Sequence, residues 1–197
     1  ARVAQTIKTL KMFRRLCDAN KVEKIYAYAT AAVRRAKNQR GFLDEVLATT
    51  GIKLKVLDDE EEAQLVYQGV INSMDIPRGI IMDIGGGSTQ FVYYNRKNLL
   101  QHITLPFGAV VLTEMFSKAG VSPQERNKMI EDYVTEQLKS VPWMAEILPD
   151  TKLIGVGGSF RNLGKISRML KKYPLSMAHN YVVSNQEFNG IYGNIKN

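Results

Sequence analysis

The sequence predicts an α/β protein in which helices pack against sheets, and three observations carry that expectation. Patterns of strand and helix period alternate through the first 75 residues, a breaker-rich segment then introduces a second set of strands, and two glycine-rich turns stand directly after strand ends.

Val3, Ile7, Leu10, Phe13 and Leu16 recur at helical spacing with basic residues between them, which predicts an amphipathic helix over 2–19. Ile25 to Thr30 reads as a short strand, followed by a basic helix start over 32–37 and a helix over 41–49 that Gly51 closes. Alternating apolar and basic residues predict a half-buried strand over 52–57, and Ala63, Val66, Tyr67 and Val70 share one stripe of a helix over 60–73. The breakers in Met74-Asp75-Ile76-Pro77-Arg78-Gly79 place a domain boundary that divides the chain into 1–75 and 76–197. Beyond it, Ile80 to Ile84, Thr89 to Tyr94 and a third strand after Asn95-Arg96-Lys97-Asn98 form an antiparallel meander. Helices are expected over 110–118 and 123–139, the second with Ser122 as N-cap and Pro123 at its first position. A strand over 153–156 runs into a basic helix, and a last helix starts near Ser184.

With 197 residues, 45% of them hydrophobic and 23% charged, the chain has enough apolar surface for a core, which excludes a disordered segment. Cys17 is alone, so there is no intramolecular disulfide, and no apolar run approaches the ~20 residues of a membrane-spanning helix. A cytoplasmic location and no membrane partner are expected. A start at Ala1 without methionine or leader-like stretch suggests a fragment of a longer reading frame. The net charge of +8 is uneven: residues 1–40 hold 11 Lys/Arg against 2 Asp/Glu, and the rest hold 16 against 17. Local positive fields of this kind attract polyanions. Nucleic acid is not the expected one, because zinc-finger, homeodomain and RNP-type signatures are absent.

Four segments carry chemistry. In Asp83-Ile84-Gly85-Gly86-Gly87-Ser88-Thr89-Gln90, three glycines let backbone N–H groups approach an anion, Ser88 and Thr89 add hydroxyl donors, and Asp83 can hold a divalent cation beside it. Gly155-Val156-Gly157-Gly158-Ser159 leaves a strand and opens a helix, whose amino end favours negative charge. The run Asp58-Asp59-Glu60-Glu61-Glu62 begins a helix; most of its acids answer the helix dipole, one can serve as general base, and composition does not choose which. In Ala29-Thr30-Ala31-Ala32-Val33-Arg34-Arg35, small residues precede paired guanidinium forks suited to phosphate. His102 and His179 lack metal-ligand spacing.

These segments in this order, with Glu61-Glu62-Ala63, Tyr67-Gln68-Gly69-Val70 and Leu105-Pro106-Phe107-Gly108-Ala109, resemble the exopolyphosphatase and guanosine pentaphosphate phosphohydrolase (Ppx/GppA) family over nearly the whole chain. The resemblance implies the two-lobed actin-like, ribonuclease H-like fold shared with sugar kinases and heat-shock chaperones, with its first lobe incomplete here. It also implies a cytoplasmic bacterial enzyme that uses Mg2+ to release orthophosphate from inorganic polyphosphate or guanosine pentaphosphate. By the same resemblance Glu62 aligns with the catalytic base and Asp83 with the metal-associated acid. Gly85, Gly86, Gly87, Ser88 and Thr89 match one phosphate loop, Gly157, Gly158 and Ser159 the other, and Arg34 the basic residue that holds polyphosphate.

Two departures qualify the resemblance: the family's opening Asp-x-Gly-Ser-Asn-Ser motif is not in this chain, and Gln90 stands where a glutamate is usual. An amide takes no proton, so this chain is expected to hydrolyse phosphoanhydrides poorly. A non-catalytic module that binds polyphosphate or an alarmone is therefore the competing expectation, ahead of a kinase. Sheet edges left open by a missing hairpin predict pairing with a second copy as a homodimer.

Overall fold

The computed structural model describes residues 2–117 and 120–196 and resolves into two compact units, Ala1–Glu62 and Ala63–Asn197. The division falls inside a helix, upstream of the breaker-rich segment where the sequence places the boundary.

The first unit contains α1 (Arg2–Ala19), β1 (Ala27–Ala29), α2 (Ala31–Arg34), α3 (Gln39–Thr50), β2 (Leu54–Val56) and the first turn of α4 (Asp59–Ile71). β1 and β2 pair in parallel, Ala27 opposite Leu54 and Ala29 opposite Val56, joined by the helical crossover that parallel strands require. Ile7 of α1 and Phe42 and Val46 of α3 form the buried centre, with Val3, Leu10, Val33 and Leu54 around it. Gly51 ends α3 in the left-handed region at φ 66°, its N–H closing on Leu47 O, as the sequence leads one to expect of a glycine cap.

The second unit is built on a mixed sheet of β3 (Arg78–Ile84), β4 (Thr89–Asn95), β5 (Asn98–Leu105) and β6 (Lys152–Val156), in the order β5-β4-β3-β6. β3, β4 and β5 are the antiparallel meander; β6 joins β3 in parallel, Ile81 opposite Ile154. One face carries Ile81, Val92, Tyr94 and Ile154 beneath Ala63, Tyr67 and Val70 of α4. The opposite face carries Phe91 and Leu105, which pack with Phe107 against α5 (Ala109–Phe116), α6 (Pro123–Lys139) and a 3₁₀ turn at Pro142–Glu146. Period-two strands sort their side chains in this way, and Ile81 and Val92 are fully buried. The helix expected over 110–118 ends at Phe116; Lys118 lies outside the described residues. α7 (Gly157–Leu170) follows β6 directly, and α8 (Asn185–Lys196) is tied to it where Ser167 donates to Glu187.

α6 shows why some boundaries were legible: Ser122 Oγ accepts from Glu125 N, Glu125 accepts from Ser122 N, and Pro123 starts the helix, a reciprocal cap written in adjacent residues. Among the described residues no helix is long and apolar enough to cross a membrane.

Candidate active site

The acidic run at the start of α4 is sorted by its hydrogen bonds. Asp58 caps the helix, its Oδ1 accepting from Glu61 N at 2.8 Å, and Glu61 returns the contact to Asp58 N while taking Lys55 on its other oxygen. Asp59 and Glu62 instead turn to Arg34: Nη1 donates to Glu62 Oε2 at 3.0 Å and to Leu57 O at 2.6 Å, and Nη2 to Asp59 Oδ1. Arg34 and Glu62 have side chains only 17% exposed, whereas Asp59 is 53% exposed. Glu62 is therefore the acid of the run held inward, fixed by one arm of a guanidinium whose other arm takes Asp59, a distinction that composition did not supply. Gln39 Nε2 donates to the carbonyls of Val33 and Arg34, bracing the turn that carries the guanidinium.

In the second unit, β3 and β6 are parallel neighbours, so the turns that leave their carboxyl ends emerge at the same edge of the sheet. Parallel α/β sheets commonly place ligands at such an edge. Gly157 has φ 86°, and a Cβ there would run into Asp83 Oδ1, so the Asp83 carboxylate sits directly against the first residue of α7. Ser159 Oγ reaches Ile84 O at 3.5 Å, a second link between the two turns. Partial burial pushes the Asp83 carboxyl up from its ordinary range, and the positive charge of Arg161 opposes that shift.

The triple-glycine turn is held from behind. Gly85 N donates to Ser88 O, and the first amides of α5 donate into the turn: Ala109 N to Gly85 O at 2.9 Å, Val110 N to Gly86 O at 3.0 Å, Val111 N to Gly86 O at 3.2 Å. A trans peptide points its N–H opposite to its C=O, so pinning these two carbonyls toward α5 aims the N–H groups of Gly86 and Gly87 to the other side. Gly108, before α5, is as constrained as the turn itself: a Cβ would lie 2.7 Å from both the carbonyl carbon and oxygen of Gly86. The Leu105-Pro106-Phe107-Gly108-Ala109 segment is thus a clamp, a role its sequence did not announce. Gly85 and Gly86 are exposed, Gly87 is half-buried and Ser88 is buried. Thr89, offered by sequence as a phosphate donor, is buried and gives its hydroxyl to Phe107 O at 2.8 Å.

Across the sheet, Asp83, Gln90 and Thr104 are register partners on three adjacent strands. Gln90 is 3% exposed, and neither its amide nitrogen nor its oxygen has a hydrogen-bond partner; Thr104 Oγ1 is buried likewise. Unmet polar groups of this kind are uncommon in folded proteins and mark places where the interior holds unspent hydrogen-bonding capacity. No group of three or more His, Cys, Asp or Glu side chains that could hold a metal occurs among the described residues.

A mixed sheet of this order, with glycine-rich turns at the carboxyl ends of adjacent parallel strands and helices on both faces, defines a mixed α/β protein. The chain belongs to the Ppx/GppA phosphatase family, whose profile matches residues 1–196. It is similar to an exopolyphosphatase from Cytophaga hutchinsonii, with a TM-score of 0.89 at 26% identity, covering 98% of this chain and 64% of that one. A family member from Aquifex aeolicus gives a TM-score of 0.76 at 30% identity, covering 99% of this chain and 62% of that one. A curated relative, the bifunctional 3-dehydroquinate synthase/phosphatase of Fusobacterium nucleatum, is 29% identical over 195 residues, which is 95% of this chain and 29% of the relative. The chain spans less than two thirds of each.

Proposed function

We propose that this protein handles the terminal phosphoanhydride of inorganic polyphosphate or guanosine pentaphosphate and releases orthophosphate. The observation that carries the reading is the aim of the exposed Gly86 N–H away from α5, fixed by the bond from Ala109 N to Gly85 O before any ligand arrives. Glu62 is the general base: Arg34 occupies Oε2 and leaves Oε1 to accept a proton from the attacking water. Gly157, Gly158 and Ser159 at the amino end of α7 take further phosphoryl oxygens, though Asp83 already answers part of that positive end. Asp83 is a single carboxylate, which fits Mg2+, an ion that keeps several waters and takes remaining ligands from substrate phosphates. When bound, that ion neutralises charge on the phosphoryl oxygens.

The test is orthophosphate release from long-chain polyphosphate and from guanosine pentaphosphate, with and without Mg2+, by this protein and by Glu62→Gln. Magnesium-dependent release that falls at least about 100-fold in Glu62→Gln, with substrate still bound, is the expected result. Unchanged turnover in that variant removes Glu62 from the role.

A second reading, a binding module without turnover, is favoured by Gln90, whose amide is neutral and buried beside Asp83. It expects binding but no release by the unaltered protein, and release gained by Gln90→Glu.

A further inference from the structure

α3 separates two basic ends of the first unit. At its amino end stand exposed Lys37 and Arg40. At its carboxyl end a groove of about 330 Å³ is lined by Lys11, Arg14 and Arg15 of α1 and by Thr49 and Thr50 of α3. A helix of 12 residues puts roughly 18 Å between the two ends.

The charge of this groove exceeds what the fold requires. Helix carboxyl ends carry roughly half a negative charge and attract one cation. Here three cations line the groove, and the acid paired with them is Asp18, which takes Arg14 at 2.8 Å. Lys11 and Arg15 are exposed. Thr49 and Thr50 donate their hydroxyl protons back to Glu45 O and Val46 O, so they shape the groove and its positive side chains do the attracting.

We propose that this groove is a second polyanion site, which takes an internal stretch of a linear polyphosphate whose terminal phosphoryl group lies at Glu62. The inference rests on the polyphosphate reading above. A ligand of two or three phosphates is too short to reach from one end of α3 to the other, whereas an extended chain follows its length and meets cations at both ends. Chain length is thereby read by α1 and α3, away from the chemistry.

Equilibrium binding of long-chain polyphosphate and of tripolyphosphate, measured across salt concentrations, tests this with Lys11→Gln/Arg15→Gln. The long chain should bind about tenfold or more weakly, with the slope of log affinity against log salt shallower by roughly two, and tripolyphosphate should bind as before. Lys11→Arg/Arg15→Lys, which keeps both charges, should bind the long chain like the unaltered protein, showing that charge and not misfolding is responsible. Unchanged long-chain affinity in the glutamine variant overturns the proposal, as does an equal loss for tripolyphosphate, which would place both cations at the terminal site. A single-stranded oligonucleotide that binds as tightly as polyphosphate and loses the same factor overturns the choice of ligand. Because the readout is binding, it stands apart from the Glu62→Gln turnover test: failed hydrolysis leaves the length dependence to be scored by itself.

Discussion

Arg34 Nη1 donates to Glu62 Oε2 at 3.0 Å across 28 residues of sequence, and the same guanidinium holds Asp59 and the Leu57 carbonyl. The resemblance implied that Arg34 grips phosphate. Its Nη1 and Nη2 donate to Leu57 O, Glu62 and Asp59, which supports reading it as a positioning residue for the proposed base.

Arg34→Lys should therefore lower kcat for phosphate release by about 100-fold while changing KM little, because an ammonium keeps the charge but loses the fork that orients the carboxylate. Steady-state kinetics decides the matter: a raised KM at constant kcat would make Arg34 a phosphate ligand instead.

Gly108→Ala should destabilise the second unit by about 1–3 kcal/mol, since its methyl group meets the backbone of Gly85 and Gly86 and neither can yield like a side chain. Denaturant unfolding measures the cost, and phosphate affinity should fall with it as the glycine turn is pushed off α5.

Gln90→Met should be neutral or stabilise the fold by up to about 1 kcal/mol, because it replaces two unpartnered polar atoms by an apolar chain of similar shape. A loss of stability in chemical denaturation would mean that the amide is satisfied in solution by a buried water.

Glu187 governs acid stability at the carboxyl-terminal helices. Hydrogen bonds from Lys171 first, then from the Ser184 backbone and hydroxyl, hold its carboxyl down at about 2. A depressed carboxyl contributes stability that is present above its ordinary pKa near 4.5 and is lost as pH falls toward 2. The protection of α8 amides, taken relative to their intrinsic exchange rate at each pH, should fall through that window, and Glu187→Gln should flatten the dependence.

Arg96 and Lys97 both have positive φ, 49° and 62°, in the two-residue turn between β4 and β5. Replacing them with Asn-Gly, the pair that this turn favours, should stabilise the fold by about 1 kcal/mol. Thermal unfolding reads the gain.

The elements were legible where their signals are local. Pro123–Lys139 was readable from Ser122, Pro123 and Glu125, and the end of α3 from Gly51. The 3₁₀ turn at Pro142–Glu146 was not, because Trp143 and Met144 owe their conformation to packing on the β4–β5 face, where Tyr93 and Trp143 stack. The site divides in the same way. Glycines and acids were visible as types, but which acid faces Arg34, where the Thr89 hydroxyl goes and why Gly108 is glycine depend on contacts between segments far apart in the chain.

The carbonyls of Gly85 and Gly86 are fastened to the opening amides of α5, so the turn takes its shape from the protein's own backbone and not from its ligand. On the proposed reading, little conformational entropy remains to be surrendered on binding phosphate, and the first turn of α5 should resist amide exchange in the protein alone.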